Sequence, residues 1–351
     1  RGMDGGSGIR PGRRRFVFGV GAALGAVAMG GGIAGCVPSG EAVARLLLAV
    51  QAGEVVHDLA FSPDGKSLAT VGKRQLMRVL DAETGTEKLA VAVSRDTWRV
   101  AFSPAGGLIA IAGGGPTRVF DADTGEDAVK LEKPGEQWAL DIEFGPDGSL
   151  LAVAEAGAFP GTIDRAVADA RIWEVETGRW VRDQVGHRRD ELQDVTGVAF
   201  SGDGSTLATA SYDGTVILWD VASGEQGRTL VAGSPVNCMA MRPDGGMVAA
   251  GTLDREIVLL DTGMGAEVRV LEEDLGFPTS AAFSPDGGML AIGYWGAALR
   301  LWDVTSGEQI GNLDGDHRGG VTAAYSPDGT LVASGDRAGM LRVWELVDAG
   351  G

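Results

Sequence analysis

Phe283-Ser284-Pro285-Asp286-Gly287 recurs, with small variations, along most of the chain. The other copies run Phe61 to Gly65, Phe102 to Gly106, Phe144 to Gly148, Phe200 to Gly204, Met241 to Gly245 and Tyr325 to Gly329. Successive copies stand 41 or 42 residues apart, except between Phe144 and Phe200, where the step is 56. A fixed period near forty belongs to propellers and solenoids, in which each repeat buries its apolar face against its neighbours.

Around each turn the grammar is all-β. An apolar run enters the Pro-Asp-Gly turn, and a second run follows, such as Leu207-Ala208-Thr209-Ala210. After another turn comes an apolar strand such as Thr215-Val216-Ile217-Leu218-Trp219-Asp220. Proline presets φ at the second turn position and Asp-Gly accepts the reversal. A further turn, as at Thr305 to Gly307, leads into a more polar fourth strand such as Glu308 to Leu313. Four strands per unit with no helical period between them specify propeller blades.

The third strands end Leu218-Trp219-Asp220 and Leu301-Trp302-Asp303, with the variants Ile172-Trp173-Glu174 and Val343-Trp344-Glu345. Three others lack the tryptophan and carry Leu80-Asp81, Phe120-Asp121 and Leu260-Asp261. Over about residues 45 to 347 the chain thus resembles the WD-repeat family. The resemblance implies a seven-bladed β-propeller, and a buried hydrogen-bonded set of His, Ser or Thr, Asp and Trp within a blade. Only the fourth repeat holds all four, as His187, Thr209, Asp213 and Trp219; the seventh has His317, Ser334 and Trp344 but Ala338 in the aspartate's place.

The last repeat ends at Val343 to Leu346 with no chain left for a fourth strand, while Arg45 to Val50 precedes the first repeat and has no other partner. Residues 45 to 50 are therefore expected to pair with the last blade and close the ring, removing the unpaired edges that invite aggregation. The organisation expected is a basic segment, 1–15; an apolar segment, 16–35; a short linker, 36–44; the propeller, 45–347; and a tail, 348–351.

The formal net charge is -18. The first 35 residues carry five Arg and one Asp, leaving 25 basic and 47 acidic side chains, a net of -22, in the rest. Such a propeller repels polyphosphate, so nucleic acid is not an expected partner. Cys238, in the apolar run Val236 to Met241, reads as a small buried side chain.

Residues 13 to 36 join an arginine cluster, some twenty uncharged apolar and Gly residues, and a cysteine. The stretch is long enough to span a bilayer, and the preceding arginines place the N-terminus in the cytoplasm and the propeller outside it. Two readings stand. Arg13-Arg14-Arg15-Phe16 resembles a twin-arginine export signal and Ile33-Ala34-Gly35-Cys36 the lipobox of a bacterial lipoprotein, which makes Cys36 the lipidation site and Met3 the start. Alternatively, Phe16 to Gly35 is the anchor of a longer protein, as in bacterial Ser/Thr kinases with a WD-repeat propeller outside the membrane; Arg1, not a methionine, suits that reading.

No catalytic constellation stands out. Of three histidines, two belong to the structural sets, and His57, at the entry to a first strand, reads as a surface or channel-mouth side chain. The turn aspartates lie one per blade and are turn formers, where calcium requires six or more converging oxygens. Neither enzymatic activity, a metal nor a cofactor is expected. The irregular 56-residue step carries the best candidate for function. It holds an insertion within Glu155 to Asp169, containing Phe159, Ile163 and Arg165, and a second around His187 to Asp194, containing Arg188 and Arg189. In WD-repeat geometry both loops open onto the same, narrower face, where Trp98, Trp138 and His57 would extend a patch. Apolar residues on exposed loops suit a protein or peptide partner.

Overall fold

A computed structural model describes residues 44–73, 75–94, 96–131, 138–155, 170–187, 194–272 and 276–347. All regular structure among them is strand, in seven four-stranded antiparallel sheets arranged as a seven-bladed propeller. Strand β1 (Ala44–Gln51) precedes the first blade, which is β2 (Asp58–Phe61), β3 (Ser67–Val71), β4 (Leu76–Asp81) and β5 (Glu87–Ala92). The second blade is β6 (Thr97–Phe102), β7 (Leu108–Gly113), β8 (Arg118–Asp121) and β9 (Asp127–Val129). The third is β10 (Ala139–Phe144), β11 (Leu150–Glu155), β12 (Ala170–Glu174) and β13 (Arg179–Gln184). The fourth is β14 (Val195–Phe200), β15 (Thr206–Ser211), β16 (Thr215–Asp220) and β17 (Gln226–Val231). The fifth is β18 (Val236–Met241), β19 (Met247–Thr252), β20 (Glu256–Asp261) and β21 (Glu267–Glu272). The sixth is β22 (Pro278–Phe283), β23 (Met289–Tyr294), β24 (Leu299–Asp303) and β25 (Gln309–Leu313). The seventh is β26 (Val321–Tyr325), β27 (Leu331–Asp336) and β28 (Met340–Leu346), completed by β1.

The ring closes as the leftover strands require: β1 runs antiparallel to β28 from Ala44 opposite Leu346 to Gln51 opposite Met340, with one irregularity between Leu46 and Leu48. Seven apolar clusters form the core, one at each blade junction. Ala69, Val79, Ile109 and Phe120 meet between the first and second blades, for example, and Leu299, Leu301, Val332 and Trp344 between the sixth and seventh. The core is therefore itself a ring, and every blade depends on both neighbours.

The recurring turn is built by its own side chains. Asp64 Oδ1 accepts from Ser62 Oγ (2.6 Å) and Lys66 N (3.0 Å), and Gly65 takes φ 71°, open to glycine at little cost. Ser201 and Asp203, and Ser326 and Asp328, repeat the bond at 2.6 Å. These bonds, led by the serine hydroxyl, hold Asp203 down at about 2. The aspartate at the end of five of the third strands does the same for the following turn: Asp121 Oδ1 accepts from Thr124 N at 2.8 Å, and Asp220 Oδ1 from Ser223 N at 2.7 Å.

Candidate functional site

The first strand of each blade, starting with β2, lines the central channel, and side chains near its start reach across every junction. Asp58 Oδ2 accepts from Val100 N (3.0 Å), Arg99 Nε pairs with Asp141 Oδ1 (3.3 Å), and Asp141 Oδ2 accepts from Val198 N (3.0 Å). Thr196 Oγ1 donates to Val236 O (2.8 Å), Asn237 Nδ2 to Pro278 O (2.6 Å) and Thr279 Oγ1 to Val321 O (2.7 Å). Thr322 Oγ1 donates to Asp58 Oδ1 (3.1 Å), which completes the circuit. A closed polar belt thus ties the seven blades around the channel and satisfies groups that would otherwise be stranded there.

The belt side chains help to line a cavity of about 670 Å³, the size of a ligand or peptide-side-chain pocket. Its wall has two sectors. On the fourth to sixth blades it carries Tyr212, Leu253, Phe277 and Trp295; on the seventh and first it carries Arg337 and His57. Leu253, Phe277 and Trp295 are 40%, 42% and 48% exposed, and so stand apolar in solvent. The rim is stiff. Trp295 N donates to Phe277 O (2.8 Å), Leu253 N to Pro235 O (2.9 Å) and Arg337 N to Arg318 O (2.9 Å), so each turn after a second strand is clamped to the loop entering its blade. Guanidinium groups lie over two of the rings, Arg337 over Trp295 at 4.8 Å and Arg255 over Phe277 at 5.2 Å.

The channel's acids are held in their neutral direction. Burial raises Asp58, and pushes Asp141 up to about 6 against the pull of Arg99. Burial also takes Glu143, whose Oε2 accepts from Phe200 N at 2.8 Å, up to about 8. Burial lowers His57 to about 4, helped by Arg337, Arg99 and Lys73 in that order. At the mouth the imidazole is therefore neutral and sits in a positive field.

Of the residues singled out in the sequence, the structure brings three to this mouth. Trp98 lies in β6 and Trp138 just before β10, their rings edge to face with centroids 4.7 Å apart, and Trp98 and His57 line the cavity. Phe159, Ile163, Arg165, Arg188 and Arg189 lie outside the described residues, as does Cys36. The gaps that contain the five loop residues open between β11 and β12 and between β13 and β14. Cys238 is buried, which pushes its thiol up to about 12 and removes its reactivity. No group of three or more His, Cys, Asp or Glu side chains among the described residues is placed to hold a metal ion.

His187, Thr209, Asp213 and Trp219 sit inside the fourth blade, away from the mouth. His187 Nε2 meets Thr209 Oγ1 at 2.8 Å and Nδ1 meets Asp213 Oδ2 at 3.2 Å, while Trp219 Nε1 donates to Thr209 Oγ1 at 3.0 Å. In the seventh blade His317 Nε2 reaches Ser334 Oγ at 3.1 Å, but with Ala338 in place of an aspartate its buried Nδ1 has no partner among the described residues. A different pair fills that blade: Arg342 Nη1 lies 3.0 Å from Asp336 Oδ2, with the side chains 7% and 0% exposed.

Sequence reasoning passed over Leu253, Phe277, Trp295, Arg337 and the belt residues. A signal for most of them exists in the register of the repeats. Tyr212, Leu253, Trp295 and Arg337 each stand twelve residues after the first residue of their turn motif, and His57, Trp98, Thr196, Asn237 and Thr279 each four residues before it.

The WD domain, G-beta repeat family model matches residues 178–220, 224–261, 265–303 and 307–345. Four of the repeats are thus WD repeats. Each match runs from the fourth strand of one blade, or the turn before it, to the third strand of the next, so the sequence repeat is offset from the blade, as the contribution of β1 to the seventh blade requires. Similar proteins include "Telomerase protein component 1" of Rattus norvegicus, 28% identical over 169 residues, which are 48% of this chain and 6% of that protein. "Periodic tryptophan protein 2" of Arabidopsis thaliana is 28% identical over 220 residues, 62% of this chain and 23% of that protein. "Guanine nucleotide-binding protein subunit beta-like protein" of Encephalitozoon cuniculi is 25% identical over 228 residues, 59% of this chain and 65% of that protein. The chain therefore spans less than a quarter of the first two relatives and just under two thirds of the third.

Proposed function

We propose that the protein is a non-enzymatic protein-binding scaffold whose partner docks on the face that carries the channel mouth. The observation that carries this reading is the trio of half-exposed apolar side chains, Leu253, Phe277 and Trp295, on a rim held by backbone hydrogen bonds. A rigid aromatic surface loses little entropy on binding, and tryptophan is the side chain most enriched where binding energy concentrates. The two sequence insertions flank the same face in this reading, and Phe159, Ile163 and Arg189 extend the contact.

The test compares two variants in quantitative co-purification of partners. Phe277→Ala/Trp295→Ala is expected to weaken capture by about a thousandfold, at roughly 2 kcal/mol per lost anchor. Phe159→Ala/Ile163→Ala/Arg189→Ala is expected to weaken it less. Partners retained in full by both variants would move the docking surface elsewhere.

The scaffold is further proposed to be tethered at the cell membrane with the propeller on the extracytoplasmic side, through residues 16–36 or a lipid on Cys36. The support is the arginine cluster, the uncharged stretch and the cysteine in the sequence. No helix among the described residues is long and apolar enough to cross a membrane, and residues 16–36 lie outside them. Membrane fractionation of cells expressing wild type, Cys36→Ser and a variant lacking residues 13–36 is the measurement. Release of Cys36→Ser to the soluble fraction supports the lipid, its retention supports the span, and full membrane retention of the truncated variant excludes both.

A further inference from the structure

Arg337 is the informative exception at the mouth. Acidic side chains outnumber Lys and Arg in this chain by 48 to 30, so a surface arginine would be expected to find a carboxylate. Arg78, Arg118, Arg171, Arg179 and Arg242 all do, while Arg182, Arg228 and Arg269 donate to backbone carbonyls of the neighbouring blade instead. Arg337 does neither: its guanidinium lies over the Trp295 ring, 4.8 Å from the centroid, and no carboxylate among the described residues pairs with it. Arg337 is exposed, and no hydrogen bond or ion pair within the described residues takes up its forked N–H donors, which are left open to a planar acceptor.

The two carboxylates that line the cavity are committed elsewhere. Asp58 is engaged by Val100 N and Thr322 Oγ1, and Asp141 by Arg99 and Val198 N, all within the belt. Arg337 and Arg99 are the cations that line the cavity, and since Arg99 pairs with Asp141, Arg337 is the one whose charge faces the mouth beside His57 without a carboxylate among the described residues. Directly adjoining this cationic sector is the apolar one, Leu253, Phe277 and Trp295, and Trp295 belongs to both.

Resting on the docking reading above, we infer that the partner presents an extended acidic segment, one side-chain carboxylate of which is forked by the open N–H donors of Arg337 while a neighbouring apolar side chain lies over Leu253, Phe277 and Trp295. A carboxylate matches the planar donor fork and receives charge-assisted bonds about twice as strong as neutral ones. A single carboxylate is also what this molecule can accept. A polyanion such as nucleic acid would meet the net charge of -18 over the rest of the surface, whereas a short acidic segment places its charge only at the cationic sector.

The probe is a fluorescein-labelled octapeptide with two leucines followed by three glutamates in a glycine and serine frame, together with a twin carrying glutamine for glutamate. Both are titrated by anisotropy against the full chain at low salt and at 0.5 M NaCl. The glutamate peptide is expected to bind at least tenfold more tightly at low salt, and most of that margin is expected to vanish at high salt. Arg337→Ala is expected to bring it to the level of the twin, and Arg337→Lys to restore part of the difference. Thermal melts of each variant verify that the ring is intact; Arg337 is exposed, so they are expected to match wild type. Equal affinity for both peptides, lost in Trp295→Ala, would overturn the carboxylate inference and leave the docking reading standing. Millimolar or weaker binding of both would overturn the inference and the mouth as docking site together.

Discussion

Deletion of residues 44–51 is expected to broaden and lower the unfolding transition of the propeller, loosening its cooperativity as well as its stability. Strand β1 is the fourth strand of the seventh blade, and without it β28 presents its full length as an open edge. The loss reaches further than one ladder. Ala44 belongs to the apolar cluster between the sixth and seventh blades, while Leu48 and Val50 pack against the cluster between the seventh and first. Ala52 N, just past the strand, is held by Gly339 O at 2.9 Å. A single segment thus supports two of the seven junctions. The cost is at least about 5 kcal/mol, beyond what most single changes produce, and it falls on the one place where the ring can open. Circular dichroism melts and size-exclusion chromatography provide the check: a broadened transition, lowered by on the order of 10 °C, together with self-association through the exposed edge. An unchanged melt would mean that the first and seventh blades hold together without the strand.

The blade count and ring closure were legible because they are periodic quantities. Each Pro-Asp-Gly turn and each terminal aspartate of a third strand is specified locally, by side chains that bond to backbone within a few residues, as Asp64 does to Lys66 N and Asp121 to Thr124 N. The leftover strand at Arg45 to Val50 followed by counting. The mouth obeys different physics. Leu253, Trp295 and Arg337 come from consecutive blades, are separated by about forty residues in the chain, and meet only because the ring turns each blade's rim inward. Read singly, a turn tryptophan or arginine has no distinguishing chemistry. Reading down the register, one residue per repeat, makes the division into an apolar and a cationic sector visible. Phe277 escapes even that reading, because it lies in the loop entering β22 and owes its place to the bond between its carbonyl and Trp295 N. The belt escapes for another reason: where the position three before the turn motif is Gly197 or Cys238, the preceding residue, Thr196 or Asn237, makes the bond to the next blade instead. The function of crossing the junction is preserved while the position that performs it moves by one.

The seventh blade offers the sharpest test of how the interior tolerates charge. Asp336 Oδ1 accepts from Ala338 N (2.8 Å) and Met340 N (3.1 Å), and its Oδ2 faces Arg342 Nη1 at 3.0 Å, with both side chains out of solvent. Arg342→Met leaves a buried carboxylate with no countercharge, and the expected loss is about 3–5 kcal/mol in chemical denaturation. The pair as a whole need not be stabilising, since desolvating two ions offsets much of their attraction. The repeats themselves say what should replace it. Asp336 stands eleven residues, and Arg342 seventeen, after Tyr325; the same positions after Phe200 hold Ser211 and Ile217, both buried in the fourth blade. Asp336→Ser/Arg342→Ile is therefore expected to recover most of what Arg342→Met loses. Adding Ala338→Asp, the counterpart of Asp213, should gain more by giving His317 Nδ1 the acceptor that His187 Nδ1 already has. If the double variant were as unstable as the single one, the cost would lie in the shape of the blade's interior and not in the stranded charge. The seventh blade would then be packed around Arg342 in a way the fourth cannot replace.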